Sequence, residues 1–186
     1  MINSKEDLIH YLKEDSKYYP KMNLISQLLE KPKYMIYKYI YYMRKAEYTK
    51  NVTLKNMPII GKPLLVYYHY KMRKLSWKLG FQMPENTFGP GINIYAYGFI
   101  IVNPGAKIGK NCTIYPGVVI GGKVENGYPT IGNNVFIGAS AKVLGGVHIG
   151  DNVYIAPNAV VVKDIPNNHV VAGVPAKTIK IREISE

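Results

Sequence analysis

A sixfold repeat of aliphatic residues between Val102 and Asp164 constrains the fold of this chain more than any other feature. The repeat runs to residue 120, is interrupted once, and resumes at residue 131. Its members are Val102, Ile108, Ile114, Ile120, Ile131, Ile137, Val143, Ile149, Ile155 and Val161. A short fixed period of this kind is typical of a solenoid.

A second small or apolar residue follows each repeat position by four, and most remaining positions hold Gly, Asn, Lys or Pro. These second residues are Ala106, Cys112, Val118, Val135, Ala141, Val147, Val153, Ala159 and Ile165. The pattern indicates short strands that point aliphatic side chains into a narrow core and are joined by tight corners. A helix would need apolar residues at three- and four-residue steps. We therefore predict a parallel β-helix of hexapeptide repeats.

The positive charge of the chain is concentrated in its N-terminal part. The formal net charge is +12; residues 1–80 hold sixteen Lys or Arg against six acidic residues, and residues 81–186 hold eight against six. The single cysteine, Cys112, falls on an interior repeat position, so we expect it to be buried and unreactive. The sequence shows neither a signal-peptide core nor an apolar run of about 20 residues. We therefore expect a soluble cytoplasmic protein.

Three helices are predicted before the repeats. Ser4 followed by Asp7 resembles a capping box that opens the first helix. Apolar residues within 24–29 indicate a second, short helix. A third helix is predicted from about Pro63, a favourable residue for the first turn, to Gly80, a natural C-terminal cap.

Between Lys33 and Tyr48, six tyrosines are interleaved with basic residues. Basic grooves with stacking aromatics bind single-stranded nucleic acid, and clustered cations attract anionic membranes. Aromatic residues at helical spacing more often pack against other helices or a neighbouring subunit. We favour packed helices and expect no nucleic-acid partner, while association with the inner membrane face stays an open alternative.

Three segments carry a resemblance to a known family: FGPGINIYAYGFIIVNPGAKIGK (88–110), GGVHIGDNVYIAPNAVVVKDIPNN (145–168) and the closing AGVPAK (172–177). With the ordered repeats, they resemble the serine acetyltransferase-like branch of the hexapeptide acyltransferases over about residues 65–180. Several members of that branch acetylate bacterial surface polysaccharides rather than serine.

The resemblance implies a mainly β fold, a left-handed parallel β-helix with an N-terminal α-helical region. We expect a helical, basic, Tyr-rich region at 1–80, the β-helix acyltransferase domain at 81–170 and a C-terminal tail at 171–186. The resemblance also implies a homotrimer with active sites between neighbouring subunits, acetyl-CoA as the donor substrate, and no metal.

The resemblance places the general base at position 96, where relatives carry a histidine in a pattern like I-x-H-x-G. Here Ile94 to Gly98 reads IYAYG, so Ala96 stands at that position. A methyl group accepts no proton, and loss of general-base catalysis lowers rates by about 10²–10⁴-fold, so strong impairment is expected. Two explanations stay open: a His→Ala replacement introduced to trap a complex, which the persistent flanking features favour, or a natural chain that has lost activity or moved its base. His148 and His169 match no base position of the family.

Residues near position 96, and others further along the chain, narrow the chemical class of the acceptor. Tyr95 and Tyr97 flank it and, together with Tyr128, suit aromatic stacking on a sugar. Serine acetyltransferases carry an acid where Phe81 stands and an Arg-His pair where Gly127 and Tyr128 stand, and arginine is the usual partner of a carboxylate. The sequence therefore predicts a sugar or surface-polysaccharide hydroxyl as the acceptor. Serine O-acetyltransferase and a non-catalytic scaffold or binding protein are the alternatives.

For the donor, the resemblance points to small or backbone-exposing residues along the solenoid wall and to basic residues near the CoA phosphates. Ala139 and Pro157 occupy the wall positions, and Lys163 and Lys177 the basic ones. The interruption of the repeat adds five residues, which form a loop at roughly 123–128. Since insertions in repeat proteins commonly lie on a binding face, we expect this loop to border the acceptor site.

Overall fold

Three sheets wrap around an aliphatic core to form the body of the protein. The computed structural model describes residues 1–20, 28–29, 31–122, 125 and 127–183. Its strands are β1 Phe81–Gln82, β2 Asn93–Ile94, β3 Ile100–Val102, β4 Lys107–Ile108, β5 Thr113–Ile114, β6 Val119–Gly121, β7 Thr130–Ile131, β8 Phe136–Ile137, β9 Lys142–Leu144, β10 His148–Ile149, β11 Tyr154–Ile155, β12 Val160–Val161, β13 His169–Ala172 and β14 Lys177–Ile181. The sheet orders are β1-β3-β6-β9-β12, β10-β7-β4 and β14-β13-β11-β8-β5-β2. From β3 to β12 the chain visits the three sheets in turn, which confirms the predicted parallel β-helix.

Aliphatic residues of successive coils stand in register inside the solenoid. Ile114 pairs with Ile94 and Ile137, and Ile137 pairs with Ile155. Every member of the sixfold repeat is at most 5% exposed. Burying one such side chain contributes roughly 1.5–3 kcal/mol, so the register holds the coils together. The pairing also places Ile94 in phase with the later repeats, although the sequence spacing around it is irregular.

Asparagines form a ladder along one corner of the solenoid. Asn111, Asn134, Asn152 and Asn168 all have positive φ angles, between 56° and 64°. Each side chain donates to the next through a 3.0 Å Nδ2–Oδ1 hydrogen bond. Asparagine tolerates the left-handed conformation better than most residues, so the corner selects it and the amide ladder then ties the coils together.

The described part of the N-terminal region contains three long helices: α1 Lys5–Ser16, α2 Pro32–Tyr48 and α3 Pro58–Leu79. A π-helical turn, Thr49–Thr53, and a single α-helical turn, Leu54–Asn56, connect α2 to α3. The segment rich in Tyr and Lys is therefore α2. Its inner side belongs to the same hydrophobic core as the solenoid.

The predicted capping box of α1 is confirmed. The Asp7 amide donates to Ser4 Oγ at 3.0 Å, and the Ser4 amide donates to Asp7 Oδ2 at 3.1 Å. The predicted second helix at 24–29 lies largely outside the described residues, of which only Leu28 and Leu29 belong to it, and both are exposed.

The predicted start of α3 at Pro63 is wrong. The helix begins at Pro58, and Pro63 lies inside it. Pro58 is itself a suitable first-turn residue, and the following turns bring apolar side chains onto the core. The C-terminal end agrees with the prediction, because Gly80 adopts the left-handed conformation with φ 77°.

Side chains of the helical region satisfy backbone groups of the first coil. The Tyr19 hydroxyl accepts from the Ile94 amide at 2.7 Å and donates to the Ile92 carbonyl at 3.4 Å. The Tyr39 hydroxyl donates to the Met83 carbonyl at 3.0 Å. Among the strands that the structure describes, none pairs with the outer edge of β2. Because unpaired buried backbone groups are costly, these hydroxyls take the place of a strand.

A buried ionic cluster reinforces this cap. Arg44 Nε donates to Asp15 Oδ2 at 2.8 Å, Arg44 Nη1 lies 3.1 Å from Glu47 Oε2, and all three side chains are at most 1% exposed. Arg44 also donates to the carbonyls of residues 88 and 89 at 2.9 and 2.7 Å. Asp15 Oδ1 accepts from the amides of residues 91 and 92 at 2.8 and 3.0 Å. The cluster therefore fastens α1 and α2 to the segment that leads into β2.

Residues 177–181 add a reversed strand to the last coil of the solenoid. β14 pairs antiparallel with β13, whereas the strands of the preceding coils pair in parallel. Cys112 is 1% exposed, as predicted, and burial raises the pKa of its thiol to about 12. In the part of the chain that the structure describes, no helix combines the length and apolarity that crossing a membrane requires. The division into 1–80, 81–170 and 171–186 stays a prediction.

Replacing Arg44 by alanine should lower the free energy of unfolding by about 3–5 kcal/mol, because Asp15 and Glu47 would remain buried without a counter-ion. Urea denaturation followed by circular dichroism measures the change. Lys17→Ala is the matched control, since it breaks an ion pair with Glu14 that is partly in solvent and should cost less than about 1 kcal/mol. Equal losses for the two variants would contradict a clamping role for Arg44.

Candidate active site

Successive corners between the six-stranded and the five-stranded sheet stack into one edge of the solenoid. These corners are residues 95–99, 115–118, 138–141 and 156–159. The turn at 173–176, which joins β13 to β14 within the six-stranded sheet, continues the same line through hydrogen bonds to Val160. The four corners and this turn are called the site edge from here on. Backbone hydrogen bonds link them: Gly117 donates to Phe99 at 2.7 Å, Ser140 to Pro116 at 2.9 Å, and Asn158 to Ala139 at 2.8 Å. Residues far apart in the sequence therefore lie along one line.

The site edge brings together five of the predicted site residues. They are Tyr95, Ala96, Tyr97, Ala139 and Pro157. The position of the missing base and the proposed donor wall thus share one edge of a single chain. This follows from the coil length alone, because each corner lies directly above the next.

The corner that contains Ala96 is wider than the others, with five residues instead of four. Gly98 makes the corner possible: its φ is 134°, and a Cβ there would lie 2.8 Å from Pro116 Cβ. The widening turns aromatic side chains outward, so that Tyr95 is 52% and Tyr97 59% exposed. Ala96 itself is half-buried between them.

A column of aromatic rings runs down the sheet beside the site edge. Tyr95 stacks on Tyr115 with centroids 4.2 Å apart, and Phe136 stacks on Tyr154 at 4.3 Å. Tyr115 and Phe136 join the two pairs at 5.1 Å. Tyr95 is therefore held by packing within its own chain.

Lys33, at the start of α2, is a site residue that the sequence analysis did not find. Its Nζ donates to the Ile94 carbonyl at 3.3 Å and lies 5.1 Å from the centroid of the Tyr95 ring. Partial burial lowers the pKa of its ammonium group. Among the described residues, no carboxylate lies within 4.0 Å of it. The fold thus places a half-buried cation at the carbonyl of Ile94, two residues before position 96. This proximity depends on the packing of α2 against the first coil, so it cannot be inferred from sequence spacing.

Two other predicted residues do not reach this edge. Tyr128 lies on the corner between the five- and three-stranded sheets, where its ring covers Gly105. Lys163 lies on the same edge of the solenoid, in the corner that follows β12. Lys177 begins β14 immediately after the turn at 173–176 and is exposed. Within one chain, the site edge therefore lacks Tyr128 and Lys163.

The histidines are placed away from position 96. His148 Nδ1 lies 3.0 Å from Thr130 Oγ1 on the outer face of the three-stranded sheet. His169 Nδ1 lies 2.8 Å from the Asn167 carbonyl, at the end of β13 opposite the site edge. His69 on α3 contacts Glu85. No cluster of three His, Cys, Asp or Glu suited to a metal ion occurs in the described ranges.

Comparison with known proteins places this geometry in context. Residues 128–163 match the family described as bacterial transferase hexapeptide (six repeats). Serine acetyltransferase of Synechococcus elongatus is 39% identical over 99 residues, which are 52% of this chain and 41% of that protein. Serine acetyltransferase of Mycobacterium tuberculosis is 46% identical over 83 residues, 43% of this chain and 36% of that protein. The chain thus spans less than half the length of either curated relative.

Solved structures agree with these relatives. Neisseria gonorrhoeae serine acetyltransferase in complex with serine aligns with 94% of this chain and 68% of that chain, at a TM-score of 0.63 and 29% identity. Brucella abortus serine acetyltransferase in complex with coenzyme A aligns with 97% and 69%, at a TM-score of 0.67 and 25% identity. This chain contains hexapeptide repeats and is similar in sequence and fold to serine acetyltransferases. The predicted resemblance is therefore confirmed.

The predicted sugar or polysaccharide acceptor is wrong, because the relatives matched by this serine acetyltransferase-like chain are named for serine. The prediction rested partly on residues that lie off the site edge within one chain. Phe81 is 1% exposed and packs on Tyr39 in the core, so its position does not touch an acceptor. Gly127 and Tyr128 lie on a different edge from Ala96. Their identity therefore says little about a site built around Ala96 in one chain.

Gly98→Ala should lower the free energy of unfolding by about 1–3 kcal/mol, through strain at a positive φ and the clash with Pro116. The matched control is Gly145→Ala, which has φ 86° but no atom within 4 Å of the added Cβ. It should cost less, since only the backbone strain remains. Thermal unfolding of both variants measures the difference, and a smaller loss at Gly98 would show that the wide corner tolerates a side chain.

Proposed function

We propose that this protein is an acetyl-CoA-dependent serine O-acetyltransferase. Its acetyl-transfer site would lie at the site edge, around position 96. The observation that carries the proposal is that Ala96, Ala139 and Pro157 lie on one edge of a solenoid that is similar to serine acetyltransferases. The family resemblance of the sequence assigns the general base to position 96 of that edge. The cytoplasm is the proposed compartment, and a chain whose single cysteine is buried is compatible with it.

In the proposed reaction the serine hydroxyl oxygen attacks the carbonyl carbon of the acetyl thioester. A C–O bond forms, the C–S bond breaks, and the CoA thiol leaves. The proton of the hydroxyl must pass to a base during the attack, because a hydroxyl is a weak nucleophile near neutral pH. Ala96 supplies no such base, so this chain is expected to transfer acetyl groups poorly.

For the donor, we assign Ala139 and Pro157 to the wall along which the pantetheine arm lies. Both are at corners of the site edge and neither is buried. Lys163 and Lys177 are assigned to the CoA phosphates, and both are exposed. Ammonium–phosphate attraction is the expected contribution of these lysines.

For the acceptor, we assign Lys33 to the serine carboxylate. Its ammonium group uses one described hydrogen bond, to the Ile94 carbonyl, and an ammonium has three donors. Tyr95 and Tyr97 flank the same position and shape the pocket. The Lys33 ammonium group, held against Tyr95 and Ile94, can take the role of the arginine that serine acetyltransferases carry at the position of Gly127.

We further propose that the working unit is a homotrimer. Tyr128 and Lys163 lie on a different edge from Ala96 in one chain, so both can complete the site only from a neighbouring subunit. Closed cyclic assemblies of identical chains place one edge of a subunit against another edge of its neighbour. The predicted loop at 123–128 lies partly outside the described residues; its end at Gly127 and Tyr128 would then border the acceptor from the next subunit.

Ala96→His should raise acetyl transfer to serine by roughly 10²–10⁴-fold, because it restores a group that accepts the hydroxyl proton. Release of the CoA thiol with serine as acceptor measures the rate. Tyr97→His is the matched control, since it adds the same ring at the neighbouring exposed position and should give no gain. A silent Ala96→His protein that still folds would overturn the proposal and favour a non-catalytic binding protein.

Mixing two inactive chains should restore activity if the site lies between subunits. One chain keeps Ala96 and Tyr128; the other carries Ala96→His with Tyr128→Ala. Mixed trimers contain sites with the new histidine from one chain and Tyr128 from its neighbour, and thiol release should appear on co-expression. Replacing the first chain by its own Tyr128→Ala variant is the control and should abolish the effect. No recovery in verified mixed trimers would place the whole site within one chain.

A further inference from the structure

Helix α3 carries two apolar stripes on opposite sides. One belongs to the core or packs against it: Gly61, Leu65, Tyr68, Met72, Leu75 and Leu79. The other, called the outer stripe from here on, consists of Ile59, Pro63, Val66, Tyr70 and Trp77. Each residue of the outer stripe lies two positions before a residue of the core stripe. Two positions correspond to a rotation of about 200° around the helix, so the two stripes face nearly opposite directions. One apolar stripe is enough to dock a helix on its own protein, so the outer stripe is available to a second surface.

The outer stripe is exposed along the whole helix. Ile59 is 89%, Val66 68%, Tyr70 61% and Trp77 82% exposed. Trp77 is the only tryptophan of the chain. Large apolar side chains gathered in one exposed line indicate an interaction surface rather than scattered surface residues.

Basic residues border the outer stripe on both sides. Helix α3 contains Lys62, Lys71, Arg73, Lys74 and Lys78 and no acidic residue. At 100° per residue, Lys62 and Arg73 lie within about 60° of the stripe on one side and Lys74 within about 60° on the other. An apolar line bordered by cations therefore faces outward.

The charges decide between two kinds of partner. A second copy of this chain would bring the same cations against each other, which disfavours pairing. An anionic lipid surface attracts them, and it accommodates an apolar stripe that contains Trp and Tyr at the boundary between headgroups and acyl chains. No helix among the described residues is suited to span a bilayer, so α3 would lie along the surface.

We propose that the outer stripe of α3 binds the interface of an anionic membrane, with the helix parallel to the surface. The acetyl-transfer site would then work at a membrane face rather than free in solution. This role depends only on α3 and its cations, and it stands whether or not position 96 supports catalysis.

Trp77 provides the readout for a direct test. The full chain is titrated with vesicles of phosphatidylglycerol and phosphatidylcholine, and separately with vesicles of phosphatidylcholine alone. Binding to the anionic vesicles should shift the Trp77 emission to shorter wavelength and carry the protein into the vesicle pellet, while the neutral vesicles should do neither. Absence of both signals with anionic vesicles would overturn the proposal.

Two pairs of variants separate the apolar and the ionic contributions. Lys62→Gln with Lys74→Gln should weaken binding to anionic vesicles roughly 10–30-fold, at the usual gain per cation near a charged surface, and Ile59→Asn with Val66→Asn should also weaken it strongly. The matched controls are Lys107→Gln with Lys110→Gln and Ile179→Asn with Ile181→Asn, which make the same changes at exposed solenoid positions. Both control pairs should leave binding unchanged, and equal losses in the controls would contradict the proposal.

Sedimentation equilibrium without lipid tests the rival partner. The mass of the assembly should be the same for the starting protein and for Ile59→Asn with Val66→Asn. A smaller mass in that variant would show that the outer stripe is covered by another copy of the chain, and the membrane proposal would then fail.

Discussion

The register of interior aliphatic side chains is the constraint on which the rest of this structure depends. Each isoleucine or valine of one coil sits on its counterpart in the next, and the narrow core leaves no room for a slipped alignment. Once that register is set, the corners must also stack. Positions 96, 139 and 157 therefore fall on one edge, although more than forty residues separate the first from the second.

The helical region solves a different problem, the exposed end of the first coil. Its side chains bond directly to backbone amides and carbonyls, through Tyr19 and Tyr39 and through the pair formed by Asp15 and Arg44. An apolar replacement for the ionic cluster would fill the space but would leave those backbone groups unpaired. This explains why charged residues are buried at this junction, where ion pairs alone are weak sources of stability.

Sequence spacing was sufficient to predict the solenoid, the burial of Cys112 and the capping box of α1, because each depends on neighbours at fixed short distances. The location of Ala96, Ala139 and Pro157 on one edge also follows from coil length. Lys33 was missed because it lies 61 residues before Ile94, and only tertiary packing joins them. The start of α3 was misplaced because two prolines, Pro58 and Pro63, each suit a first turn.

The acceptor was beyond the reach of residue-by-residue comparison. Phe81 and Tyr128 differ from the pattern of serine acetyltransferases, but the fold buries the first and places the second on another edge. The absence of an arginine argues against a carboxylate-bearing acceptor only if the site contains no other cation. Here α2 contributes one, from a region that precedes the repeats.

The reversed direction of β14 has a consequence for how copies of this molecule coexist at high concentration. A parallel solenoid with open ends is a template on which identical molecules can stack head to tail into filaments. At one end an antiparallel strand breaks the pattern that an incoming coil would have to continue, and at the other the helices occupy the same hydrogen-bonding groups. The reversed strand and the helical region therefore oppose end-to-end polymerisation of the solenoid.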